Sequence, residues 1–119
     1  MAEHNDLGKL GEELAADFLK KEGYEILERN WFFQKAEVDI IAKKNDILAV
    51  VEVKTRTNLD YGDPHNFVNA KKIKLLVKAV DEYVISKNLD FTVRFDIISV
   101  TNKATDCEIL HLKDAFYYF

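Results

Sequence analysis

Three charged residues stand where strands rarely carry charge. Asp39 lies inside the apolar run Val38-Asp39-Ile40-Ile41-Ala42, and Glu52 and Lys54 close a second one, Ile47-Leu48-Ala49-Val50-Val51-Glu52-Val53-Lys54. A Val- and Ile-rich run that is apolar on both alternating faces reads as a strand covered on both sides, where burial penalises any charge. Alternation turns Glu52 and Lys54 to one face and leaves Val51 and Val53 to anchor the other. Two carboxylates beside a lysine suit metal-assisted phosphodiester hydrolysis. Asp39 and Glu52 would hold Mg²⁺ (or Mn²⁺) through oxygen, with the Val53 carbonyl between them, and Lys54 would position the attacking water or counter negative charge on the phosphate. The bland alternative is an ion pair between Glu52 and Lys54 at a strand end, with Asp39 satisfied by backbone donors. The spacing Asp-x12-Glu-x-Lys is short enough to arise by chance. Other chemistries fit less well. The chain has no Gly-rich phosphate loop, its one cysteine has no metal-ligand spacing, and His4, His65 and His111 form no local ligand pattern.

The two runs can share a site only if they pair in the right register. The polar stretch Lys43-Lys44-Asn45-Asp46 between them predicts a turn and an antiparallel hairpin. A loop of Asn45-Asp46 sets Asp39 directly opposite Glu52, with Cβ atoms about 4.5 to 5.5 Å apart; a loop of Lys44-Asn45 makes the pair diagonal, at roughly 7 to 8 Å. Both keep the carboxylates on one face, whereas a three-residue loop would separate them.

The remaining elements must carry this hairpin. Leu7, Leu10, Leu14, Ala15, Phe18 and Leu19 recur at helical spacing from about Asn5 to Glu22, with Gly23 at the C-cap position. Gly8 and Gly11 are unusual in a helix and point to close backbone packing. Tyr24 to Phe33 reads as a first strand with an aromatic end, Trp31-Phe32-Phe33. After the hairpin, the stretch from Thr57 to Pro64 reads as a loop. Asn69 would cap a second helix running to about Lys87, with Ile73, Leu76, Val77, Val80 and Val84 as its apolar stripe. Phe91 to Val100 and Glu108 to Leu112 read as two more strands, and the aromatic tail from Ala115 to Phe119 as a docked segment. Helix, three strands, helix, two strands predicts an α/β fold, one mixed sheet flanked by helices.

At 119 residues and 48% hydrophobic content the chain has the size of one domain, residues 1–119, with its own core. A lone Cys107 suits a reducing cytosol and reads as a small core side chain. No run approaches a membrane span and the N-terminus lacks a signal pattern, so a cytoplasmic protein without a membrane partner is expected. The net charge of −4 argues weakly against nucleic acid, yet Lys54, Arg56, Lys71, Lys72, Lys74 and Lys78 fall within 25 residues following the acidic pair. They form either a basic rim for DNA or a solvated helix face.

The segments Ala36-Glu37-Val38-Asp39-Ile40-Ile41 and Val51-Glu52-Val53-Lys54-Thr55-Arg56 resemble the PD-(D/E)XK nuclease superfamily and, more narrowly, the small bacterial YraN family of predicted endonucleases related to archaeal Holliday junction resolvases. The likeness extends to Gly8-x-x-Gly11-Glu12-x-x-Ala15, Arg29-Asn30-Trp31, Gly62-x-Pro64, Val68, Lys71 and Arg94-Phe95-Asp96, and so to nearly the whole chain. The resemblance implies a restriction-endonuclease-like αβββαβ core, with Asp39 and Glu52 as metal ligands and Lys54 as the catalytic lysine. It adds Glu12 from the first helix as a catalytic carboxylate, with neighbouring Glu13 a one-residue alternative, and Glu37 as an accessory group. Ala36 departs from the glycine more common there. The implied substrate is DNA, branched or distorted, and by analogy the implied assembly is a homodimer. A non-catalytic nucleic-acid-binding module on the same fold is the alternative.

Overall fold

A computed structural model describes residues 2–57, 70–102 and 107–115, with side chains over 8–56, 71–102 and 107–115. The elements are α1 (Ala2–Lys21), β1 (Glu25–Phe33), β2 (Ala36–Lys44), β3 (Ile47–Thr57), α2 (Ala70–Lys87), β4 (Thr92–Asn102) and β5 (Cys107–Leu112). This is the order expected from the sequence. The expected loop beyond Thr57, the Asn69 cap and the tail beyond Ala115 lie outside the described residues.

Both helix ends follow from local backbone chemistry. Gly23 takes a φ of 95° at the end of α1, where Tyr24 N–H donates to Leu19 O and Gly23 N–H to Lys20 O. At the end of α2, Asn88 plays the same part at φ 53°, with Leu89 N–H on Val84 O and Asn88 N–H on Ile85 O. These paired bonds satisfy carbonyls that a helix end otherwise leaves bare, and glycine or asparagine tolerates the left-handed turn they require.

The five strands form one mixed sheet in the order β1-β2-β3-β4-β5. Pairing is antiparallel except between β3 and β4, which run parallel because α2 carries the chain back across the sheet. One face packs on α1 through Ala15, Ala16, Leu19, Ile40, Val51, Val53 and Ile98; the other packs on α2 through Val38, Ile41, Val50, Ile73, Leu76, Val80 and Ile97. Coverage on both sides explains why β2, β3 and β4 read as nearly continuous apolar runs. Cys107 departs from expectation. It is the first residue of the edge strand β5 and is half-buried, with Sγ 3.7 Å from Asn102 Oδ1. Among the described residues, no helix is long and apolar enough to cross a membrane.

Candidate active site

The β2–β3 loop is Asn45-Asp46: Lys44 pairs with Ile47, and Asn45 supplies the positive φ of 56° that a tight hairpin needs. That register would set Asp39 opposite Glu52, but the ladder stops one pair earlier, at Ile40 and Val51. Beyond that point the strands form a fork. The carboxylate of Asp39 fills the place of a strand partner, its Oδ2 accepting the Val53 amide at 2.8 Å.

The neighbouring β1–β2 ladder also breaks at this level. It passes over Asn30 and Asp39, and Asn30 takes a left-handed φ of 51°, a conformation asparagine adopts more readily than most residues. The break reverses the side-chain alternation. Arg29 reaches Glu13 of α1 at 2.8 Å, yet Trp31, two residues on, packs edge-on against Tyr83 of α2. Likewise Ile40 joins the core under α1 and Val38 the core under α2. Asp39 sits at this crossover and is therefore influenced by groups from both faces of the sheet.

From the α2 face come Glu52, buried at 5% exposure, and Lys72, whose Nζ donates to Glu52 Oε1 at 2.5 Å. Lys54 Nζ lies 3.9 Å from the same oxygen, too far for a hydrogen bond but inside ion-pair range. From the other face comes Glu12, whose negative charge is felt at Asp39. Gly11 permits this approach: a Cβ there would fall 1.9 Å from Thr55 Oγ1, so only glycine lets α1 lie directly on the end of β3. For Gly8, no described residue lies within 4 Å of its would-be Cβ. Glu12 is half-buried, whereas Glu13 is exposed and engaged by Arg29, which separates the two candidates in α1.

The electrostatic result is a carboxylate under stress. Burial and the Glu52 charge, with Glu12 adding, push the Asp39 pKa up to about 7, against the lowering effects of the Val53 amide and Lys72. Both contacts of the bland alternative are present, the Glu52–Lys54 pair and a backbone donor for Asp39, yet they do not offset the burial and the Glu52 charge that raise the Asp39 pKa.

The fork opens into a cleft of about 260 Å³ lined by Lys35, Glu37, Asp39, Glu52, Lys72, Leu75 and Leu76. Glu37 is exposed there. On the α1 side a shallower groove of about 420 Å³ is lined by Lys9, Glu12, Glu13, Arg29 and Asn30. The donor chemistry fits a hard divalent cation of the Mg²⁺ kind, which usually takes one or two carboxylates and keeps several waters. Asp39 and Glu52 would supply the carboxylates and the Val53 carbonyl a third oxygen. Among the described residues, no three His, Cys, Asp or Glu side chains converge into a closed metal cage.

Of the basic residues expected to form a rim, Lys71 and Lys74 are exposed on α2, as is Lys78, while Arg56 is half-buried near the end of β3. Lys72 turns inward to Glu52 instead. Its position immediately before Ile73 and four residues before Leu76, at the border of the apolar stripe, is the signal that could have marked it.

A second buried carboxylate was legible only as part of a motif. Asp96, 0% exposed on β4, accepts from Arg94 Nε at 2.9 Å and Nη2 at 2.9 Å, from His111 Nε2 at 2.9 Å and from the Asp114 amide at 3.0 Å. Arg94 Nη2 also donates to Tyr24 Oη at 2.6 Å. Burial raises the Asp96 pKa, but the bonds from His111, Arg94 and the Asp114 amide outweigh it and hold the carboxyl below its ordinary value.

The chain matches the sequence profile of UPF0102, described as an uncharacterised protein family, over residues 11–100. It is 61% identical to a UPF0102 protein of Flavobacterium psychrophilum over 119 residues, covering both chains in full. It is 57% identical over 123 residues to one of Flavobacterium johnsoniae, again covering both in full. With one of Phocaeicola vulgatus the identity is 45% over 117 residues, 98% of this chain and 97% of the relative. The matched spans include the hairpin, the fork and α2, and the chain belongs to the UPF0102 family.

Proposed function

We propose that the fork is the active centre of a Mg²⁺- or Mn²⁺-dependent endonuclease that hydrolyses DNA phosphodiester bonds, built on a restriction-endonuclease-like αβββαβ core. The observation that carries this reading is the convergence of Asp39 and Glu52 at a strand split, with the Asp39 pKa pushed up to about 7 by burial and by the neighbouring Glu52 charge. Structural ion pairs are arranged to cancel charge; this pair accumulates it, as a cation site does.

Each residue then has a task that follows from its place. Asp39 and Glu52, with the Val53 carbonyl, would hold the cation, which when bound supplies Lewis acidity toward water and phosphate oxygens. The Val53 amide fixes the Asp39 carboxylate in one orientation. Lys54, half-buried on the cleft side of β3, places a positive charge where negative charge develops on the phosphate. Lys72 steadies Glu52 and offsets part of its charge. Glu12 and Glu37 stand at the two sides of Asp39 as accessory carboxylates. Lys71 and Lys74, exposed on α2, and Arg56 on β3 would meet flanking phosphates. The expected setting is the cytoplasm and the expected substrate branched or distorted DNA, with a homodimer serving cuts on two strands.

End-labelled duplex, single strand, flap and four-way junction, incubated with Mg²⁺ or Mn²⁺ and either the protein or its Glu52→Ala variant, test the reading. Products that vanish in the variant support it. Intact DNA throughout, with salt-sensitive binding that does not depend on Glu52, would replace it with a non-catalytic binding module.

A further inference from the structure

Phe32 is the most solvent-exposed aromatic side chain among the described residues, at 65%, and its place is specific. It lies two residues from Asn30, which lines the groove on the α1 side, and it pairs directly with Glu37, which lines the cleft. Antiparallel partners hold their Cβ atoms about 5 Å apart on one face. The ring is thus exposed beside Glu37, a residue of the cleft, and two residues along β1 from Asn30, a residue of the groove. Its neighbours Trp31 and Phe33 stack on each other on the opposite face, where Trp31 meets Tyr83. Those two rings are accounted for by the core and Phe32 is not.

The surroundings match one kind of occupant. The cleft joins charged groups, Lys35, Asp39, Glu52 and Lys72, to the apolar Leu75 and Leu76, while the groove sets Lys9 and Arg29 beside Glu12 and Glu13. A chain carrying alternate phosphates and flat apolar rings suits that pattern; a wholly apolar partner would leave the charges uncompensated. We propose that Phe32 is a stacking platform for the base of an unpaired nucleotide next to the phosphate that a cation carried by Asp39 and Glu52 would bind. The site would then select DNA with an unstacked or single-stranded nucleotide over continuous duplex, because a base inside a duplex is already stacked and cannot lie on the ring. This inference rests on reading the cleft as a phosphodiester site and names its substrate class.

Binding, rather than cleavage, tests it. Fluorescein-labelled single-stranded DNA and a blunt duplex of the same sequence are titrated in Ca²⁺ with the protein and with Phe32→Ala and Phe32→Trp, followed by anisotropy. Loss of one stacked base corresponds to roughly a 5- to 150-fold loss of affinity. Phe32→Ala should lose affinity for the single strand in that range with the duplex unaffected, and Phe32→Trp should restore it. Equal single-strand affinity for Phe32→Ala and the original protein, or no single-strand binding at all, overturns the proposal. So does a change from dimer to monomer on Phe32→Ala in sedimentation, with unchanged affinity per chain, since a second copy would then be the occupant. Phe32-dependent binding without cleavage in Mg²⁺ or Mn²⁺ would sustain the stacking platform while removing the nuclease reading. Cleavage of duplex and single strand alike, indifferent to Phe32, would do the reverse.

Discussion

Asp96, buried, and Asp39, half-buried, are two carboxylates of one sheet, two strands apart, and they are treated in opposite ways. Asp96 accepts from a guanidinium, an imidazole and a backbone amide, and its pKa is held below the ordinary value despite burial. Asp39 accepts one amide, and burial, then the Glu52 charge, with Glu12 adding, push its pKa up to about 7 against the amide and Lys72. Charge burial alone does not mark a functional site. What distinguishes the two is whether the surroundings complete the charge or crowd it with another carboxylate. The Asp96 network ties β4, β5, the turn at Asp114 and the start of β1 into one body, and the fork is cut into the rigid sheet thus formed.

The contrast predicts separate failures. The largest effect belongs to the fork: Glu52→Ala should lower cleavage by at least roughly 10³-fold, since a bound cation supplies several kcal/mol of transition-state stabilisation. Far-ultraviolet circular dichroism should show the fold retained. A variant that still cuts at the original rate would dissolve the contrast.

Next comes Asp96→Ala, which strips the acceptor from Arg94 and His111 and should cost about 3 to 5 kcal/mol in urea unfolding. The same network sets the acid limb. A folded pKa lowered from 3.8 contributes stability that is complete above the unfolded value and lost as pH falls through the folded one. Acid unfolding of the original protein should therefore steepen below about pH 4, and the Asp96→Ala variant should lack that component.

Asp39 behaves with the opposite sign. With a folded pKa near 7 against 3.8 unfolded, the folded state binds the extra proton between those values, so stability falls as pH rises from about 4 to about 7 and then levels. Asp39→Asn removes the titrating group, and in chelator it should be more stable than the original protein at pH 8, by on the order of 1 kcal/mol, with the gain shrinking toward pH 4. Equal pH profiles for the two proteins would mean that the carboxylates are not crowded. The smallest effect is expected at Arg29→Ala, which breaks only the exposed pair with Glu13 and should cost about 0 to 1 kcal/mol.

Much of this was legible from residue order. The hairpin followed from two apolar runs around Lys43-Lys44-Asn45-Asp46, and the loop at Asn45-Asp46 was one of two registers that periodicity allowed. Choosing between them depended on strand pairing, which a period of two cannot fix. The fork was not legible, because it arises where two ladders stop at different places around Asp39 and where Asn30 turns left-handed. Gly11 was readable as a close-packing glycine, but Gly8 looked the same in sequence and meets no neighbour among the described residues. Lys72 hid among the lysines of α2, since a helix face shows which side is buried and not which partner lies beneath one residue. Asp96 had the same outward sign as Asp39, a charge within an apolar strand; its partner His111 comes from a different strand and left no local mark.

The most direct measurement is a Mn²⁺ titration by calorimetry at pH 8 on the original protein, Asp39→Asn and Asp96→Asn, with thermal melts alongside. The account predicts saturable binding and a raised melting temperature for the original protein. It predicts loss of both in Asp39→Asn, and Mn²⁺ binding retained in Asp96→Asn at temperatures where that weakened variant is folded. Equal binding by the original protein and Asp39→Asn, or binding lost only with Asp96→Asn, would contradict it.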